Sequence, residues 1–235
     1  MARGTTLEEL VSNLRAEVGE LTDDSVGTSN IPALKVLLRR VQETLYHRYD
    51  WPFLKHMPFK NLAADQRYYD VPAGLNMDRI IKVSVWYSGV PVPIERGIGE
   101  EEFQSYASDD GEKSSPALKW DWKWVQAQNA DMIEVWPIPA SNDERLQFTG
   151  LRPLKALIAN DDVADLDDQL IVLYAAVEIL ARREEEDAKL KLKAAEEYFA
   201  LLTGNYTRGR SPIVMGGGPP PASYRGKSVI RVGRA

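Results

Sequence analysis

The chain has 235 residues, with 29 Lys and Arg against 35 Asp and Glu, a formal net charge of −6, and no cysteine. That composition excludes a disulfide framework, thiolate metal sites and a cysteine nucleophile. No apolar run approaches the roughly 18–20 residues of a membrane helix, and the opening MARGTTLEEL lacks the apolar core of a secretory signal, so a soluble intracellular protein is expected. The first element is a helix. Thr6 and Glu9 have capping-box spacing, and Leu7, Leu10, Val11, Leu14 and Val18 make one apolar stripe that ends at Gly19, a natural residue just past a helix end. A polar loop over 22–29 leads to a second start, with Asn30 placed to cap and Pro32 in the first turn. Ile31, Leu34, Leu37, Leu38, Val41 and Leu45 form the second stripe, and Pro52 stops the helix near Asp50. The expectation is a helical hairpin over residues 1–54.

From about Phe53 the apolar period falls to two, with frequent Pro and Gly. Candidate strands lie at 67–71, 79–86, 90–95, 118–126, 132–135 and 145–151, with Ser88 and Gly89 as a hairpin turn and 105–115 as an exposed loop. Short strands in succession, without long helices between them, predict an antiparallel sandwich or small barrel over residues 55–152. After it, Asp165 is placed to cap a helix whose first turn holds Asp167 and Asp168. Apolar residues then recur at helical spacing from Leu166 through Leu201 to Gly204, which predicts one helix of about 57 Å within residues 161–204. The fold class is therefore α+β: two N-terminal helices and one long C-terminal helix in a bundle, an inserted antiparallel β-region, and an extended C-terminal arm.

The search for catalytic chemistry finds little. His47 and His56 are nine apart across the Pro52 break and share no helix face; no hydrolase elbow or zinc-protease pair accompanies them. Gly97 and Gly99 are followed by three glutamates that would repel a phosphate. Asp161, Asp162, Asp165, Asp167 and Asp168 lack the alternation of a calcium loop and read as helix-capping residues. A glycosidase would need two carboxyls facing one cleft, and no pair in the sequence suggests one. No catalytic residue, metal ligand or cofactor is assigned. Trp120, Trp122 and Trp124 alternate with charged residues and so share one sheet face. They fill a core, line a subunit interface, or stack on a glycan or single-stranded nucleic acid. Trp51, beside Pro52 and Phe53, is placed to anchor the helices to the β-region.

The charge is unevenly divided. Residues 205–235 carry six cations and no anion, so residues 1–204 hold a net −12. The acidic part is a poor non-specific binder of nucleic acid, because phosphate contacts need a basic surface. The basic tail contains GGGPPP and the β-like run SVIRV at 228–232, and its Pro and Gly content keeps it extended. An extended chain adds a strand to another subunit's sheet, and its arginines pair with carboxylates on an acidic surface. Residues assigned to partner binding, on another protein or a neighbouring subunit, are Arg208, Arg210, Tyr224, Arg225, Lys227, Val229, Ile230, Arg231, Val232 and Arg234.

The start TLEELVSNLRAEVGE, the polar loop, and IPALKVLLRRVQETLYHRYDWPFL resemble head–tail adaptor (connector) proteins of tailed bacteriophages, chiefly short-tailed ones. The likeness is best over residues 6–54 and continues loosely in RYYDVPAGLNMDRIIKV. The resemblance implies a structural virion protein rather than an enzyme. Copies would form a ring, a dodecamer, docked beneath the portal protein at the capsid vertex after assembly in the host cytoplasm. The ring would extend the channel for passing double-stranded DNA without binding it specifically, and would seat the tail or nozzle proteins. No membrane is involved.

Overall fold

A computed structural model describes residues 3–19, 30–105 and 112–207, excepting the side chains of 205–207. Helix α1 (Leu7–Glu17) opens on the expected reciprocal cap: Thr6 Oγ1 accepts from the Glu9 N–H at 3.3 Å, and Glu9 Oε2 accepts from the Thr6 N–H at 3.1 Å. It closes at Val18, with Gly19 at φ +76°, a conformation that glycine adopts without strain. Helix α2 (Ile31–Arg48) has Pro32 in its first turn, but Asn30 makes no side-chain capping bond. The stripes of both helices are buried at Leu7, Leu10, Leu14, Leu34, Leu37, Leu38, Val41 and Leu45.

A 3-10 turn (Pro52–Leu54) leads into eight strands: β1 (Lys55–His56), β2 (Phe59–Asn61), β3 (Tyr68–Asp70), β4 (Ile80–Tyr87), β5 (Val90–Arg96), β6 (Lys119–Val125), β7 (Ala130–Trp136) and β8 (Arg145–Leu151). A short helix, α3 (Glu100–Ser105), lies between β5 and β6. The strands form one curled sheet in the order β1-β8-β4-β5-β6-β7-β3, with β2 beside β1 on the same flank of β8. Pairing is antiparallel except where β5 meets β6, parallel at Glu95–Lys119 and Arg96–Trp120. The wholly antiparallel expectation fails at this join, because β5 ends at Arg96 and β6 starts at Lys119, a connection long enough to bring the second strand in beside the first in the same direction. A parallel neighbour needs a crossover of a dozen residues or more.

The single long C-terminal helix is instead two: α4 (Asp168–Arg182) and α5 (Asp187–Thr207). The chain reverses at Arg183–Glu186, where Glu184 has φ +57°. The helices are antiparallel, for Tyr198, past the midpoint of α5, donates to Asp167 Oδ2 at the start of α4 (3.3 Å). The cap is Asp167, whose Oδ1 accepts from the Leu170 N–H at 3.1 Å; Asp165 is engaged elsewhere. Gly204 lies inside α5 and does not end it.

Helix α4 packs against α1, α2 and α5, which explains why Leu170, Ile171, Val172, Leu173, Ala175, Ala176 and Leu180 are all buried. A helix hydrophobic around most of its girth belongs in a core. Inside the curl, Val83, Val85, Ile133, Val135, Leu146 and Phe148 form a second core. Trp51 ties the chain together as expected. It is 1% exposed, its Nε1 donates to the Leu45 carbonyl at 2.9 Å, and its ring meets those of Tyr49, Phe53 and Phe199.

Candidate assembly surfaces

Strand direction sorts the exposed surfaces. β4 begins beside the helices, where Arg79 just before it donates to the carbonyls of His47 and Tyr49 and pairs with Asp50 at 2.6 Å. The β4–β5 tip therefore points away from the bundle. Ser88 (φ +49°) and Gly89 (φ +79°) make the far turn; two positive φ values are what a two-residue type I′ hairpin requires. Around this turn Tyr87, Val90 and Val92 are exposed on one face of the hairpin. On the other, the Arg145 guanidinium lies 4.7 Å from the Phe59 ring and 5.0 Å from the Trp86 ring. The Ser88–Gly89 signal located the turn, but period-two patterning alone cannot show that both faces of a hairpin leave the core.

The tryptophan row is graded in burial. Trp120 is 4% exposed and edge-on to Phe148, Trp122 is half-buried, and Trp124 is 55% exposed. Arg96 lies over Trp120 and Trp122, at 5.8 and 5.3 Å, and its Nε donates to Asp121 at 3.1 Å. Two indoles therefore belong to the sheet's packing, and one is open at the hairpin.

The acidic cluster serves the fold. Asp162 accepts from the Ile158 and Ala159 N–H groups (2.6 and 2.7 Å), and these hold its carboxyl below the usual range. Asp165 accepts from Arg152 at 2.7 Å and from the Lys155 N–H at 2.6 Å. Burial pushes its pKa up, but these two partners outweigh burial and leave it lowered. Asp168 is buried beside Asp167 and accepts from the Thr5 hydroxyl; burial leads, and its pKa is raised. Gly99 also has a local role: its N–H donates to Glu102 at 2.7 Å, and Glu102 pairs with Lys119, fastening α3 to β6. His47 stands edge-on to Tyr46 at the end of α2, while His56 lies on β1 beside Gly74. The clefts between α2 and α4, about 210 and 390 Å³, are lined by Ala33, Leu37, Arg182 and their neighbours. Among the described residues no three side chains group as metal ligands, and no helix is long and apolar enough to cross a membrane.

The ten arm residues assigned to partner binding lie outside the described residues. What the described surface presents is the exposed β4–β5 hairpin at Tyr87, Val90 and Val92 and the open indole of Trp124. The chain belongs to the SU10 adaptor protein family, whose model matches residues 5–216. It is a phage head–tail adaptor, a structural virion protein and not an enzyme, placed by family at the head–tail region with portal and tail partners. No curated protein sequence matches it.

Proposed function

We propose that copies of this chain form a dodecameric ring beneath the portal, extend the DNA channel and present the platform on which tail or nozzle proteins build. Assembly takes place in the host cytoplasm. Residues 1–54 and 161–204 supply the bundle, 55–152 the sheet, and 205–235 the arm that docks on the portal or on a neighbouring copy. The observation that carries this reading is the division of charge, net −12 over residues 1–204 against +6 over 205–235. An acidic wall lets DNA slide without sticking, and a cationic arm suits a carboxylate-bearing protein surface. Deleting residues 208–235 is expected to leave a folded chain that no longer co-sediments with portal rings. Undiminished co-sedimentation would show that the arm is not the docking element. Reversing Arg225, Arg231 and Arg234 to glutamate should weaken docking most at low salt, where surface charges are least screened.

A further inference from the structure

Sheet edges decide where an extended segment can be added, since only an unpaired row of N–H and C=O groups can receive one. The free edge of β5 covers residues 90–93. Its two-residue turn makes Tyr87 and Val90 a hydrogen-bonded pair, so the backbone nitrogens of Pro91 and Pro93 face away from β4. Neither carries a hydrogen, and that edge has no donor to offer. On β6, the Trp120 carbonyl accepts from Gly97, so Trp122 faces the same way. Its N–H is taken by Asp121 Oδ1 at 2.9 Å, and Arg96 holds that carboxylate. β3 is three residues long, and the outward carbonyl of Tyr68 accepts from Gln66 Nε2 at 2.7 Å.

The β1–β2 edge differs. The Leu54 and Pro58 carbonyls accept from the Arg152 and Phe148 N–H groups of the β8 side (2.9 and 3.0 Å). By alternation, Met57, Phe59 and Asn61 turn their N–H and C=O groups outward. None of the three has a ladder partner on that side among the described residues. Pro58 falls at an inward position, where only its carbonyl is used. The side chains of Met57 and Phe59 are 55% and 46% exposed.

We propose that residues 228–232, the SVIRV run, add as a strand to residues 57–61. This rests on the reading of the arm as a docking element and names its seat. Strand and edge are each five residues long. The described chain ends at Thr207 on α5, whose Leu202 shares a core with Trp51 and Leu54, just before β1. The intervening residues 208–227 reach up to about 70 Å. Seated there, alternate apolar side chains of the run cover Met57 and Phe59.

The chain has no cysteine, so engineered pairs report cleanly. Phe59→Cys is combined in the full chain with single cysteines at 228 to 232 in turn, and the disulfides formed on oxidation are mapped by mass spectrometry. A seated strand gives about tenfold more cross-link at alternate positions, because cysteines whose Cβ vectors point apart do not bridge. Cross-links within one chain or between two copies both place the strand on this edge; equal yields at all five positions, or none, overturn it. Met57→Pro removes an outward N–H without touching the β8 ladder and is expected to abolish the alternation; Asn61→Pro does the same should Met57→Pro lower the thermal midpoint. Alternation that survives either variant in a folded chain overturns the proposal. Loss of portal docking on deletion of 208–235, without alternation, refutes the seat and leaves the arm reading standing; alternation with docking intact does the reverse.

Discussion

Two aspartates three positions apart respond to folding in opposite senses. Asp165 is buried, yet Arg152 and the Lys155 N–H lower its pKa below the usual 3.8. The native state therefore binds fewer protons than the unfolded chain as pH falls through this range. Its contribution is complete above about 4 and disappears as pH drops through the lower native value. Asp165→Asn should lose about 1–3 kcal/mol at pH 7, since it weakens a charge-assisted bond at a buried site, and the deficit should vanish in strong acid. Asp168, raised by burial, works the other way. Its destabilising effect is fully present above its native pKa and is relieved as the pH falls through that value. Asp168→Asn keeps an acceptor for the Thr5 hydroxyl and should leave the protein as stable or more stable at pH 7. Denaturant unfolding of both variants across pH 3–7 checks the opposite signs.

At the scale of elements, what can be read from sequence follows from how local the controlling interaction is. The α1 cap and the β4–β5 turn are contained in a few consecutive residues, and both are as expected. Thr6→Ala should cost about 1 kcal/mol through the lost cap, measured by thermal unfolding. The α4–α5 reversal was illegible because Arg183–Glu186 contains neither Gly nor Pro, and helical periodicity continues on either side of it. Its left-handed turn falls on a glutamate. Glu184→Gly should therefore stabilise by about 1 kcal/mol, since only glycine adopts that conformation freely; an unchanged midpoint would mean that the strain is absorbed elsewhere. β1 and β2 were missed for a related reason: at two and three residues they exist only because β8 pairs with them. Of the candidate surfaces, the tryptophan row was legible as a shared face. Its gradient of burial depends on where the sheet curls, which no spacing along β6 reveals.

Across the whole molecule, the two cores meet at a small number of residues. Trp51, just before the turn that leads into β1, and Leu151, the last residue of β8, both belong to the bundle core. Arg79 reaches from the sheet to the end of α2, and Arg152 reaches to Asp165. Trp51→Ala should destabilise by about 3–5 kcal/mol, the range for a fully buried aromatic. Its effect should appear in the unfolding signals of both the helices and the sheet. A loss confined to the helical signal would show that the halves melt independently.

The bridge between Thr6 and Val163, with Thr5 on Asp168, ties the first helix to the fourth across most of the chain. During synthesis, α1 and α2 leave the ribosome long before α4, the helix that covers them, has been made. The sheet is closed within residues 55–151 and has all its partners by the time β8 emerges. Contacts between residues far apart in sequence cost more loop-closure entropy than local ones, and each waits until both partners have been synthesised. The middle of this protein is thus equipped to fold first, while its amino terminus waits, amphipathic and uncovered, for the translation of its own far end.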